Sequence, residues 1–193
     1  MRARRVVVAL VAVLASWAGR AGADLRPELI GAAGATAAVQ GGPGAGGPSF
    51  SLSLMWPVDE RVRFGVMAFT DDLGDRTGRL RDSQGADLGP ISVLHQAARG
   101  AAGRAEAHMA GGRRYDAFAL GTWGVYRVGD DVRGARIRRT NAGGLGAGFG
   151  LTRTVTATQT AGLTLRYQQL WRGAIQRYMT VAMEWRWHRS VKE

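Results

Sequence analysis

Residues 178–187 read YMTVAMEWRW, and the alternation of apolar and polar side chains in this stretch decides the fold class. In an extended strand, successive side chains point to opposite faces, so the apolar and polar sets separate completely. In a helix, the side chains of Glu184 and Arg186 would lie about 200° apart and the apolar residues would be spread around the circumference. The stretch therefore predicts a β-strand with one apolar face, formed by Met179, Val181, Met183, Trp185 and Trp187.

Other parts of the chain alternate in the same way and predict further strands. The clear cases are residues 49–56, 62–70, 144–152 and 159–170. Weaker cases are residues 30–39, 103–110 and 115–128. The flanks of 103–110 are rich in alanine, so residues 91–110 fit either a strand or a helix. The pattern does not decide which face of 115–128 is the apolar one. Phe118, Leu120 and Tyr126 would form one candidate face, and Trp123 and Val125 would form the other.

The connections between these eight candidate strands alternate in length. The short ones are residues 57–61, 111–114 and 153–158, and the long ones are residues 40–48, 71–100, 129–141 and 171–176. In an up-and-down antiparallel sheet, this places every short turn and both termini at one end. Open sheet edges invite pairing with other chains, and closure into a barrel removes them. We therefore predict an all-β fold, an eight-stranded antiparallel up-and-down barrel.

The start of the chain has the layout of a cleaved secretory signal peptide. A basic stretch, MRARR, precedes an apolar run at residues 6–17, and the small residues AGA follow at 21–23. We predict a signal peptide over 1–23 and an outer-membrane barrel domain over 24–193. The first 23 residues contain four arginines and no acidic residue, so the remainder carries 22 basic and 15 acidic side chains, a net charge of +7.

Composition excludes several classes of protein. No apolar stretch approaches the roughly 20 residues of a transmembrane helix, and the absence of cysteine excludes a disulfide scaffold and a thiolate metal site. The chain has 25 arginines but one lysine, and its basic residues are dispersed, with no block longer than RIRR at 136–139. This dispersion does not favour nucleic acid as a partner.

Two barrels fit the alternation: a membrane barrel with its apolar face outward, and a soluble lipocalin-like carrier with that face inward. The membrane barrel is favoured because strands of about 9–11 residues span the hydrocarbon core, and because arginine on the lipid face costs roughly 2–4 kcal/mol at mid-depth. We predict lumen ion pairs among Arg104, Glu106, Arg166, Glu184 and Arg186. The predicted lipid-facing residues are Phe50, Leu52, Leu54, Trp56, Leu145, Phe149, Leu163, Leu165, Tyr167, Met179, Val181, Met183, Trp185 and Trp187.

Over most of its length after residue 23, the chain resembles the small eight-stranded outer-membrane barrels of Gram-negative bacteria, the OmpA-like, OmpX-like and OmpW-like domains. The segments that carry the resemblance are residues 115–128, 143–152, 161–167 and 178–187. The resemblance implies export through the periplasm, assembly by the outer-membrane insertion machinery and contact with outer-membrane lipid and lipopolysaccharide. Many members end at an aromatic residue, whereas here HRSVKE follows Trp187.

We expect a monomeric, non-enzymatic envelope or surface-binding protein with arginine-rich loops and without a cofactor or metal. The alternatives are a narrow pore or hydrophobic-solute conduit, the soluble carrier, and an enzyme acting on lipid A through Ser92, His95 and Asp87. The histidines do not have the spacing of a zinc site. The acidic residues of the long segment lack the spacing of a calcium loop, and a solvated loop is expected there: Asp71, Asp72, Asp75, Asp82 and Asp87.

Overall fold

The computed structural model describes residues 27–39, 46–112, 114–132, 135–172 and 174–188. Within these ranges, only the backbone is described for residues 76–81, 91–94, 130, 132, 135–138, 172 and 174–175. The predicted signal peptide at 1–23, residues 40–45 of the first long connection, and the last residues of the chain, 189–193, lie outside the described part.

The described residues form eight strands that follow one another around a closed antiparallel barrel. The strands are β1 (Glu28–Ala38), β2 (Pro48–Pro57), β3 (Val62–Arg81), β4 (Asp87–Gly111), β5 (Tyr115–Val132), β6 (Ala135–Thr156), β7 (Gln159–Arg172) and β8 (Ala174–Trp187). Pairing of β1 with β8, from Leu29↔Trp187 to Ala38↔Tyr178, closes the ring. The predicted fold class is confirmed, and residues 91–110 lie in a strand.

Strands β3 to β6 are longer than the sequence suggested, with 20, 25, 18 and 22 residues. The expectation of long loops at residues 71–100 and 129–141 was wrong, because most of these residues continue the β3–β4 and β5–β6 hairpins. The short gap between β7 and β8 likewise replaces the predicted connection at 171–176. Stretches such as DDLGDRTGRLR at 71–81 do not alternate between apolar and polar residues, so the sequence pattern did not mark them as strands.

A tight turn closes the β3–β4 hairpin at the end of the barrel opposite to the termini. The Asp82 carboxylate accepts hydrogen bonds from the backbone N–H groups of Gln84, at 2.9 Å, and Ala86, at 2.8 Å. Gly85 has φ = 90°, a left-handed conformation that glycine adopts without steric cost. Asp82, expected in a solvated acidic loop, thus organises a turn.

The inner face of the barrel is partly apolar, which the sequence reading did not anticipate. On β5, Phe118, Leu120 and Tyr126 point inward and are buried, whereas Val125 points outward and is 60% exposed. Of the two candidate faces of β5, the one with Phe118, Leu120 and Tyr126 therefore points inward. Tyr126 belongs to an inner apolar cluster. That cluster consists of Met67, Phe69, Leu73, Ala98, Ala102, Tyr126, Val128, Ala142, Leu170 and Tyr178.

Inward-facing glycines of β6 make room for large side chains from the neighbouring strands. A Cβ atom on Gly150 would overlap the Phe118 ring, and one on Gly144 would overlap Leu170 and Tyr126. The residues that contact these positions are largely aromatic and apolar.

We expect Gly150→Ala to destabilise the folded barrel by about 1–3 kcal/mol, the usual cost of overpacking a filled interior. The matched control is Gly143→Ala on the same strand, where a Cβ would face outward with Trp171 at an ordinary contact distance of 3.9 Å. The free energy of unfolding, measured by urea titration in detergent micelles, compares the two variants. Equal stabilities would contradict the close packing at Gly150.

Candidate functional site

Two guanidinium groups and two carboxylates meet inside the barrel, near the end that carries the termini. The Arg104 Nη2 atom lies 2.7 Å from Glu184 Oε1 and 2.5 Å from Glu106 Oε1. Arg186 Nη1 lies 2.8 Å from Glu106 Oε2, and Arg186 Nη2 lies 2.9 Å from Glu184 Oε2. Each charge thus has two opposite charges as neighbours, and the side chains are at most 3% exposed. We call these four residues the lower network.

The lower network connects strands that are not neighbours in the sheet. Arg104 and Glu106 belong to β4, while Glu184 and Arg186 belong to β8 on the other side of the ring. Spacing by two residues places each pair on the inner face of its strand. The Arg186 guanidinium also lies 4.2 Å from the centre of the Phe118 ring, a cation–π contact that stabilises a buried cation.

Arg166 does not join these four residues, although the sequence grouped it with them. It lies further along the lumen, where its Nη2 atom donates to Asp71 Oδ2 at 3.2 Å. The same carboxylate accepts hydrogen bonds from the Tyr178 hydroxyl at 2.8 Å and, on its other oxygen, from the Ser49 hydroxyl at 2.6 Å. Asp71, Arg166, Tyr178 and Ser49 form the upper network, supplied by β3, β7, β8 and β2.

Asp71 is the lumen residue that sequence reasoning missed. It was assigned to a solvated acidic loop, but its side chain is fully buried. The alternation of faces along a strand could have revealed it, because Met67, Phe69 and Asp71 are spaced by two residues and share the inner face of β3. The predicted end of this strand at residue 70 hid that relation.

A polar bridge lies beside the two networks. The Gln168 side-chain amide lies 2.9 Å from Thr122 Oγ1 and 3.1 Å from the Tyr126 hydroxyl. The space lined by Arg104, Thr122, Arg166 and other inward residues has a volume of about 10 Å³, comparable to a single water molecule. Among the described residues, this part of the lumen is filled by side chains.

The predicted lipid-facing residues lie on the outer face of the barrel. Those with exposed side chains are Phe50, Leu52, Leu54, Leu145, Phe149, Leu163, Val181, Met183 and Trp187. Those that are partly covered by neighbouring side chains are Trp56, Leu165, Tyr167, Met179 and Trp185. The polar-in, apolar-out orientation of these strands is the reverse of the one that a lipocalin-like carrier requires.

The histidine and carboxylates of the upper hairpin do not assemble as the enzymatic alternative required. His95 lies 3.1 Å from Asp75 and 3.3 Å from Asp72, whereas Asp87 pairs in register with Arg81, far along the hairpin. The side chain of Ser92 lies outside the described part. Within the described part, no group of three or more His, Asp or Glu side chains is placed to hold a metal ion.

Comparison with solved structures agrees with this geometry. The crystal structure of Neisserial surface protein A superposes on 83% of this chain and 96% of its own, with a TM-score of 0.65 and 15% sequence identity. The chain has the fold of the small eight-stranded outer-membrane β-barrels. The N-terminal barrel domain of OprF from Pseudomonas aeruginosa gives a TM-score of 0.52 at 10% identity, over 85% of this chain and all of that domain.

The resemblance drawn from the sequence is therefore confirmed at the level of the fold. No protein-family model matches the sequence. No curated protein matches it either. Within the described residues, no helix is long and apolar enough to cross a membrane.

We expect Glu106→Ala to destabilise the barrel by about 3–5 kcal/mol, because it removes a carboxylate from two buried guanidinium groups. Glu60→Ala is the matched control, since Glu60 is exposed in the β2–β3 turn. Urea unfolding in micelles, followed by tryptophan fluorescence, measures both variants. Similar unfolding free energies for the two would contradict the assigned role of the lower network.

Proposed function

We propose that this chain is a non-enzymatic outer-membrane β-barrel with a structural or surface-binding role in the bacterial envelope. The observation that carries the proposal is the combination of an apolar outer face with a lumen filled by buried ion pairs. Such a surface suits a hydrocarbon environment, and such a lumen leaves no room for a sizeable substrate. The long arginine-bearing hairpins at the end opposite to the termini would then face the outside of the cell.

The exposed apolar surface supports a membrane location. Phe149, Leu163 and Met183 are 60%, 58% and 62% exposed, and they belong to three consecutive strands. A soluble monomer rarely exposes a large continuous apolar patch, because water contact with that surface is unfavourable. In lipid, the same side chains are in their preferred environment, and the buried backbone hydrogen bonds of the closed ring satisfy the polar groups.

The filled lumen argues against the two ligand-handling alternatives. A pore needs a continuous aqueous path, and a soluble carrier needs an apolar cavity of several hundred Å³. Here the described side chains of the lower network, the upper network and the Gln168 bridge cross the lumen one after another. A structural or surface-binding role therefore fits better than transport through the barrel.

The proposal includes a route and a set of partners. The chain would cross the periplasm after removal of residues 1–23, insert through the outer-membrane assembly machinery and contact outer-membrane lipid and lipopolysaccharide. We also propose that it is a monomer, because the pairing of β1 with β8 closes the ring and removes the strand edges that a second copy could pair with.

Cell fractionation combined with gel electrophoresis tests the proposal. We expect the protein in the outer-membrane fraction, with a faster-migrating folded band in unheated samples that shifts on boiling. This shift reflects a compact barrel that resists detergent until heated. Recovery from the soluble periplasmic fraction, or mobility that heating does not alter, would contradict the proposal.

Cysteine labelling tests the orientation of the outer face, since the natural chain contains no cysteine. In native membranes opened to reagent on both sides, Met183→Cys should resist a charged, water-soluble maleimide, and it should react with that reagent after the barrel has been unfolded in urea and detergent. Val58→Cys, exposed in the β2–β3 turn, is the matched control and should react with the charged reagent. Rapid reaction of Met183→Cys with the charged reagent would favour a soluble barrel instead.

A further inference from the structure

Three arginines cluster on the outside of the barrel. They lie between its exposed apolar side chains and the end opposite to the termini. Arg99 on β4 is directly opposite Arg127 on β5, and Arg139 on β6 is opposite Gly129, two residues further along β5. The three side chains are exposed and line one groove of about 520 Å³. We call these residues the arginine groove.

The lining of this groove carries a surplus of positive charge. Like charges directly opposite each other on paired strands are destabilising, and Arg99 and Arg127 are such a pair. Asp131 brings one negative charge to the same lining, which leaves a surplus of two positive charges among its ionisable residues. Guanidinium groups bind phosphate through paired, charge-assisted hydrogen bonds, so a phosphate-bearing ligand matches this arrangement.

The floor of the groove shows which kind of phosphate compound fits. Ala101 and Val125 line its lower part, and Val125 belongs to the exposed apolar surface of β5. Arg127 follows Val125 by two residues on the same face, a separation of about 7 Å along the strand. The lining therefore changes from apolar to cationic in the direction away from the belt, as the boundary between the acyl chains and the headgroup of a lipid does.

An exposed aromatic side chain lies in the same row of paired residues as Val125. Trp171 on β7 pairs with Gly143 on β6, which in turn pairs with Val125. Trp171 is 45% exposed, and aromatic side chains are typical of the membrane interface in barrels of this kind. Along their own strands, the three arginines lie beyond this row of paired residues, on the side opposite to the termini.

We infer that Arg99, Arg127 and Arg139 bind the phosphate groups of a phosphorylated glycolipid of the outer leaflet, the chemistry that lipopolysaccharide presents. The inference deepens the proposed function and rests on it, because the groove meets that leaflet only in a barrel that spans the outer membrane. Its ligand is held at the outer surface of the wall and does not enter the lumen.

The test compares two triple variants of the full chain, purified in detergent. The site variant combines Arg99→Gln, Arg127→Gln and Arg139→Gln. The control variant removes the same charge at the opposite end, where the exposed arginines are Arg61, Arg114 and Arg153. Titration with fluorescent lipopolysaccharide should give a Kd at least about tenfold weaker for the site variant, the effect of losing one charge-assisted contact or more. The control variant should bind as the wild type does, and equal Kd values for the two variants would overturn the inference.

Two further ligands identify the source of the phosphate. Enzymatically dephosphorylated lipopolysaccharide should bind the wild type as weakly as the intact lipid binds the site variant, and it should not discriminate between the two proteins. Inorganic phosphate should fail to displace the lipid at millimolar concentration. Displacement by phosphate alone would indicate a site for free anions, which overturns the assignment to a lipid.

Stability without lipid separates a binding role from a structural one. Because Arg99→Gln removes a repulsion with Arg127, the site variant should unfold in lipid-free detergent at the same urea concentration as the wild type or a higher one. A lower concentration, together with weaker binding, would overturn the inference in favour of a structural role. Fractionation of cells judges the proposed function separately, since the binding assays use purified protein and do not depend on where the cell places it.

Discussion

Closure of the backbone ring is the constraint on which the rest of this structure depends. A β-strand in hydrocarbon has no water to satisfy its N–H and C=O groups, so each must find a partner on a neighbouring strand. The pairing of β1 with β8 removes the two edges that an open sheet would leave. Once the ring is closed, every second side chain faces outward, and the remaining side chains must fill a narrow interior.

That narrow interior determines how the buried charges are arranged. Backbone hydrogen bonds connect only neighbouring strands, whereas the pairs between Arg104 and Glu184 and between Glu106 and Arg186 connect opposite walls. A slip of one residue in β8 would turn Glu184 and Arg186 to the outer face and leave the partners on β4 buried without a counter-charge. The lower network therefore favours one register over its neighbours, in addition to filling space.

Sequence patterns predicted the parts of this fold that have different surroundings on their two faces. In β8, the outward-facing and inward-facing residues differ strongly in polarity, so the sequence showed which side chains share a face. In β5 the inner face is apolar near Tyr126, and the two faces looked alike. Asp71 was missed because its strand was predicted to end one residue earlier. The contacts between inward residues across the ring depend on how far each strand is shifted relative to the others. The alternation of side chains along a single strand carries no information about these shifts.

Irregularities of the β3–β4 ladder are confined to one part of the molecule. The register runs without interruption from Val62↔Ala107 to Asp72↔Ala97, and shifts follow only beyond Asp72, up to the turn near Arg81. A bulge absorbs an extra residue in one strand without moving the pairs that precede it. Insertions and deletions near the tip of this hairpin can therefore be accommodated there without changing the pairing of the barrel wall below it.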